Sequence, residues 1–327
     1  MRASAGGFRS FLAQDLEAFL AYKRALARRY DNEESVFRLF DRYLAEQGVR
    51  DFSGITAEAI GAFLISRPRA RPRSYNHLLG VVRRFFAWLV TQERISHSPV
   101  QARPRRATSQ QTPFIFDQDQ ARRLLEAAAQ LPDNPRALRR GEVYATIFAL
   151  LYGLGLRVGE VARLRRENVD LDRCLLVIRH TKFDKSRLVP FGPRLARRLS
   201  EYLDRWEQRG VQLSPDSPVF SFTHGKCLRP ETISQTFHRL VAQLGIAAPP
   251  GVAPPCVHCL RHSFAVGTLL RWYRAGLDPT QRLFHLSTFL GHADPGSTSV
   301  YLTVTAELLR EANSRFEWMA SPSRGEV

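Results

Sequence analysis

His258-Cys259-Leu260-Arg261-His262-Ser263-Phe264-Ala265 is the stretch on which the reading of this 327-residue chain turns. A proline-rich loop, residues 247–255, delivers the chain to it, and its His258 and Arg261 occupy one side of a helix start. Downstream, Leu290-Gly291-His292 is followed after nine residues (301 − 292) by Tyr301. Upstream, Gly155-Leu156-Arg157-Val158-Gly159-Glu160 sets an arginine between a strongly apolar helix, 141–152, and an amphipathic one, 158–164. Three separated segments thus supply one tyrosine, two arginines and two histidines. That set suits attack on a phosphodiester without a metal. A tyrosine hydroxyl can form a covalent ester that stores bond energy, and guanidinium groups can hold the phosphate through bidentate hydrogen bonds.

The composition points to a polyanionic partner. Lys and Arg number 48 against 31 Asp and Glu, a formal charge of +17 that attracts nucleic acid or an anionic membrane. The longest apolar stretch, 143–156, is too short to span a bilayer, and the first residues lack a signal-peptide core, so a cytoplasmic protein is expected. Four cysteines in a chain this long do not make a disulfide scaffold. Only Lys23, Lys182, Lys185 and Lys226 are lysines, and two of them share the segment Thr181-Lys182-Phe183-Asp184-Lys185. Lysine can lose its proton near neutral pH where arginine cannot, so that segment is a candidate for proton transfer.

Hydrophobic periodicity predicts helices over 11–29 and 34–47, a third with Thr56 as N-cap, and a fourth over 75–90 burying Leu78, Leu79, Val82, Phe85, Phe86 and Leu89. The prolines in 67–73 break the helical pattern between the third and fourth. From about residue 96 the chain turns polar, basic and proline-bearing. Residues 1–107 therefore read as a helical domain with its linker, and 108–327 as a second domain. In the latter, helices are expected over 120–130, 193–208, 230–244, 261–274 and 283–290. Strands over 174–179 and 187–191 flank the lysine-bearing turn. The fold class is mainly α with a small antiparallel β-sheet. Residues 306–316 carry apolar side chains at 308, 309, 312 and 316, the pattern of a C-terminal amphipathic helix.

These boxes, in this order, resemble the tyrosine recombinases, the phage integrases and their relatives: the Arg157 box, the Lys182 hairpin, the His258–Ala265 stretch, Leu290-Gly291-His292, and Tyr301. The last helix of the first domain, from Tyr75-Asn76-His77 through Phe85-Phe86-Ala87-Trp88, is similar to their core-binding domain. The resemblance covers nearly the whole chain. The stretch between Arg261 and His292 is longer than usual for the family, and the phrase ending in His292 looks like recombinases carried by transposons and plasmids.

The resemblance implies site-specific recombination of double-stranded DNA through a 3′-phosphotyrosyl intermediate, with no cofactor. It implies a two-domain clamp on duplex, a homotetramer on paired sites, and room for a partner recombinase. Tyr301 would be the nucleophile, Arg157 and Arg261 the phosphate clamp, and His292 a donor to a non-bridging oxygen. His258 would accept or relay the tyrosine proton, Glu160 would orient the Arg157 region, and Lys182, with Lys185 as its rival, would be the general acid. Arg67, Arg69, Arg71, Arg73, Arg83 and Arg84 are expected to contact DNA phosphates, though a solvated charged face is the plainer reading of such a run. Two other functions stay open: a topoisomerase-like relaxation of supercoils, and a catalytically silent DNA-binding accessory protein. Cys256-Val257-His258-Cys259 tempts toward zinc, but no second ligand pair stands at finger spacing.

Overall fold

The computed structural model describes residues 7–26, 28, 30–106, 111–179, 186–208, 214–222, 225–292, 294, 296–303 and 310. The chain divides into two compact units, Met1–Gln110 and Gln111–Val327.

In the first unit, helices α1 (Ala13–Ala25), α2 (Asp31–Glu46), α3 (Ala57–Ser66) and α4 (Pro72–Thr91) enclose one aromatic-rich core. Phe19, Phe37, Phe40, Phe63, Phe85 and Phe86 meet there, with ring centroids 4.9–6.0 Å apart in edge-on or tilted pairs, the arrangement aromatic quadrupoles favour. Thr56 caps α3 by accepting from the Ala59 amide, as its position predicts. Helix α4 begins at Pro72, three residues before the expected start. Proline is tolerated at the first helical position, because the N–H it lacks would have had no intrahelical partner.

The basic linker is not a free tether but is held back against α4. The Asn76 side-chain amide brackets Arg105, donating to its carbonyl at 2.8 Å and accepting from its amide at 2.7 Å. The Arg105 guanidinium lies 4.0 Å from the centre of the Tyr75 ring, and Arg83 donates to the Ala102 carbonyl at 2.6 Å.

The second unit is built on α6 (Arg140–Leu154), which is buried on nearly every side. Around it lie α5 (Gln118–Ala129), α7 (Val158–Ala162), α8 (Pro193–Glu207), α9 (Pro230–Gln243) and α10 (Cys259–Arg274). An antiparallel sheet joins β1 (Val169–Asp170), β2 (Leu175–Ile178) and β3 (Arg187–Pro190) in that order, with Leu176 opposite both Val169 and Val189. Two residues of β1 carry too little alternation to be read from sequence. Helix α11 (Pro279–Leu290) again starts on a proline, four residues earlier than expected. A short helix α12 (Gly296–Ser299) leads into a 3₁₀ turn, Val300–Thr303. A small separate cluster packs Ala265, Val266, Leu269 and Leu270 of α10 against Leu286 and Leu290 of α11, with Tyr301 as a member. The lysine turn with Lys182 and Lys185, and the 306–316 segment apart from Arg310, lie outside the described residues. Among the described residues no helix is long and apolar enough to cross a membrane.

Two helix ends position the site. Gly155 ends α6 and Gly291 ends α11, both with positive φ, +60° and +69°. A Cβ on Gly155 would stand 2.6 Å from the Phe264 ring and 2.9 Å from Leu290. Gly155→Ala is therefore expected to cost about 1–3 kcal/mol of stability through left-handed strain and overpacking, read as a lower urea midpoint with unchanged m-value.

Candidate active site

The end of α11 leaves its last carbonyls without intrahelical donors. Three consecutive ones are taken by three arginines from three different segments. Arg187 donates through Nε to the Phe289 carbonyl at 2.8 Å, Arg261 to that of Leu290 at 2.7 Å, and Arg157 to that of Gly291 at 2.8 Å. The negative end of the helix dipole favours all three cations there. Arg261 also donates to the Gly155 carbonyl at 2.7 Å, so one buried guanidinium ties the end of α6 to the end of α11.

Glu160 is the carboxylate within this arginine group. At the third position of α7, its Oε2 accepts from the Arg157 backbone amide at 2.8 Å, the backward half of a capping box. Its Oε1 accepts from the Arg157 side chain at 2.8 Å, and both oxygens accept from Arg187 at 2.9 and 2.8 Å. Burial pulls the Glu160 acid upward, but the ion pairs with Arg187 and Arg157 prevail and hold it at about 2.

Donor counting separates the arginines. A guanidinium has five N–H donors. Arg187 spends three on Glu160 and Phe289, and its side chain is 9% exposed. Arg157 spends two and is 32% exposed, so it has donors to offer an incoming anion. Arg187 was not among the residues singled out from the sequence. Its position at the start of β3, soon after the lysine turn, was the available signal.

The tyrosine lies among histidines. Tyr301 is buried, and its hydroxyl is 2.8 Å from Nδ1 of His262. Burial raises the phenol above its ordinary range, while the charges of Arg261 and Arg157 oppose that rise. The tyrosine's hydrogen-bond partner is therefore His262 and not His258, the residue expected from the sequence. His262 stands four residues after His258, one helical turn along α10, and so faces the same side. The His258 ring meets His262 edge-on at 4.6 Å between centroids. His292 binds Thr298 Oγ1 through Nδ1 at 2.6 Å, leaving Nε2 as the nitrogen for another partner, and its ring lies 6.4 Å from that of Tyr301. Burial first, then neighbouring positive charge, pushes His258, His262 and His292 down to about 4, so all three are neutral at pH 7.

The arginines expected to contact phosphates fall into two groups. Arg71, Arg73 and Arg84 are exposed on or beside α4. Arg67 and Arg69 are half-buried, and Arg83 is exposed but holds the linker at Ala102. Lys182 has no described position.

Two outcomes follow from the geometry. Arg187→Gln removes one partner of a buried ion pair and should destabilise the second unit by about 3–5 kcal/mol in urea denaturation. For His258 the folded pKa lies below the unfolded value of 6.5, so its contribution to stability is present above pH 6.5 and is lost as pH falls toward 4. Urea midpoints measured across this window should slope less steeply for His258→Asn than for the native chain.

Residues 115–307 match the model of the phage integrase family. Over 313 residues the chain is 33% identical to y4rB of Sinorhizobium fredii strain NGR234, a protein named as an integrase/recombinase, covering 94% of this chain and 98% of that one. It is 30% identical over 292 residues to the tyrosine recombinase XerD of Lacticaseibacillus casei, covering 89% and 92% of the two chains. Among solved structures, the Tn1549 transposon integrase in complex with transposon right-end DNA shares the fold. The TM-score is 0.65 at 15% identity, over 96% of this chain and all of that one. With three arginines gathered on one helix end beside a histidine-bound tyrosine, and with these relatives spanning both units, the chain belongs to the phage integrase family and is a tyrosine recombinase.

Proposed function

We propose that this recombinase cleaves and rejoins double-stranded DNA at specific sites through a 3′-phosphotyrosyl intermediate. The observation that carries the reading is the Tyr301 hydroxyl, hydrogen-bonded to a neutral His262 in the field of Arg157 and Arg261. Tyr301 attacks the scissile phosphorus in line, and the 5′-oxygen leaves. Arg157 and Arg261 hold the non-bridging oxygens, joined by Nε2 of His292. His262 takes the phenolic proton, with His258 packed against it as support. Lys182, by resemblance, protonates the departing 5′-oxygen. A 5′-hydroxyl from another strand then reverses the step, with the phosphotyrosyl bond conserving the energy.

Charge bookkeeping agrees with this chemistry. Arg157, Arg187 and Arg261 less Glu160 leave +3 − 1 = +2 at the site, with the histidines neutral. A phosphodiester brings one negative charge, and its pentacoordinate state carries a second. As that charge builds, it lifts the histidine pKa values from about 4 back toward the physiological range, so His262 becomes a better base when the substrate is in place.

Duplex DNA is the partner in this proposal, supported by the positive charge of the chain and by the DNA complex of the structurally similar Tn1549 integrase. The exposed Arg71, Arg73 and Arg84 are proposed as phosphate contacts, and residues 1–107 as the domain that grips DNA. Assembly as a homotetramer on paired sites, with or without a partner recombinase, belongs to the same proposal.

A nicked suicide duplex carrying the sites beside the gene should yield a covalent protein–DNA adduct on a denaturing gel, formed in EDTA and absent in Tyr301→Phe. His262→Ala should slow adduct formation by about 10²- to 10⁴-fold. Adduct from Tyr301→Phe, or DNA binding with no adduct on any site, overturns the nucleophile assignment. Pairing of two sites separates recombinase from topoisomerase-like action.

A further inference from the structure

The two cysteines of Cys256-Val257-His258-Cys259 have no part in the chemistry above, yet their sulfurs lie 3.2 Å apart. The Cys259 amide donates to the Cys256 carbonyl at 2.8 Å, closing a tight turn, and the Cys256 amide donates to Cys259 Sγ at 3.3 Å. Such a turn holds its first and fourth Cα atoms within about 7 Å, the range a disulfide spans, so the backbone already suits a bridge. The two thiols are unlike. Cys256 is half-buried and within reach of small solutes, whereas Cys259 is fully buried as the first residue of α10. The Cys259 thiol and nearby backbone amides stabilise a Cys256 thiolate against the cost of its burial, and the same coupling pushes Cys259 up. This is one accessible nucleophile beside one shielded resolving thiol.

We propose that Cys256 and Cys259 form a reversible disulfide that switches off strand cleavage, the second clause resting on the proposed function. Cys256 attacks one sulfur of glutathione disulfide and expels a glutathione thiolate. That thiolate takes the proton of Cys259, whose sulfur then attacks Cys256 and expels the second glutathione. Two protein thiols are oxidised and one small disulfide is reduced to two thiols. The second attack is intramolecular, so the burial of Cys259 does not obstruct it. Closing the bridge brings the sulfurs from 3.2 Å to about 2.05 Å across a turn that contains His258 and opens directly onto Arg261 and His262. Displacements of about 1 Å in such a framework can cost on the order of a hundredfold in rate.

The test uses the full-length protein equilibrated in glutathione buffers of graded potential. Remaining thiols are trapped by alkylation and the 256–259 peptide is mapped by mass spectrometry. Adduct formation on a suicide duplex is measured on the same samples. The expected result is a Cys256–Cys259 bridge accompanied by at least about a tenfold loss of adduct. Dithiothreitol should restore activity, and Cys256→Ser should cleave DNA at every potential. No bridge at any potential, or a bridged protein that cleaves at the reduced rate, overturns the proposal. A reduced protein that makes no adduct overturns the nucleophile assignment instead, which the peptide map reads separately.

Discussion

Three carbonyls at the end of one helix, Phe289, Leu290 and Gly291, organise the second unit. Each accepts from a different arginine, and those arginines come from β3, α10 and the start of α7. The need is elementary: a buried helix end cannot leave its carbonyls unpaired. Meeting that need with guanidinium groups gathers positive charge at one place. Glu160 then keeps the cations from repelling one another apart, and in doing so caps α7. Packing, capping and the gathering of positive charge are thus one set of bonds.

This arrangement also accounts for the two glycines. Gly155 and Gly291 sit where α6 and α11 must stop and turn with positive φ, and each lets an arginine or its neighbours approach closely. A Cβ on Gly291 would stand 2.8 Å from an Arg187 nitrogen. The glycines flanking Arg157 and His292 in sequence therefore shape the backbone on which the guanidiniums rest.

Much of this was legible in the residues. The long helices, the β2–β3 pairing and the gathering of Arg157, Arg261, His292 and Tyr301 follow from periodicity and ordered motifs. The misses have physical reasons. Pro72 reads as a helix breaker because sequence alone does not show that it falls at a first helical position. His262 was overlooked because both it and His258 lie on the same face of α10, and choosing between them requires knowing where Tyr301 returns to the helix. Arg187 looked like one more arginine in a strongly basic chain. Its role depends on a contact with Glu160, 27 residues earlier, and another with Phe289, 102 residues later. Arg83 shows the converse, an exposed arginine in a basic run that also holds its own linker in place.

The shared helix end has a mechanical corollary. Because the anchors of all three arginines are successive peptide groups of one rigid rod, α11 acts as a common hinge pin for the cationic site. Sliding it along its axis by the length of a hydrogen bond would break the carbonyl bonds of Arg157, Arg187 and Arg261 in a single event, leaving Arg157 and Arg187 held by Glu160 and Arg261 by the Gly155 carbonyl, whereas a local wobble of any one side chain leaves the other two seated. Phe284 projects from the same rod with 67% of its surface exposed, so the helix that anchors the arginines is itself open to solvent along one side.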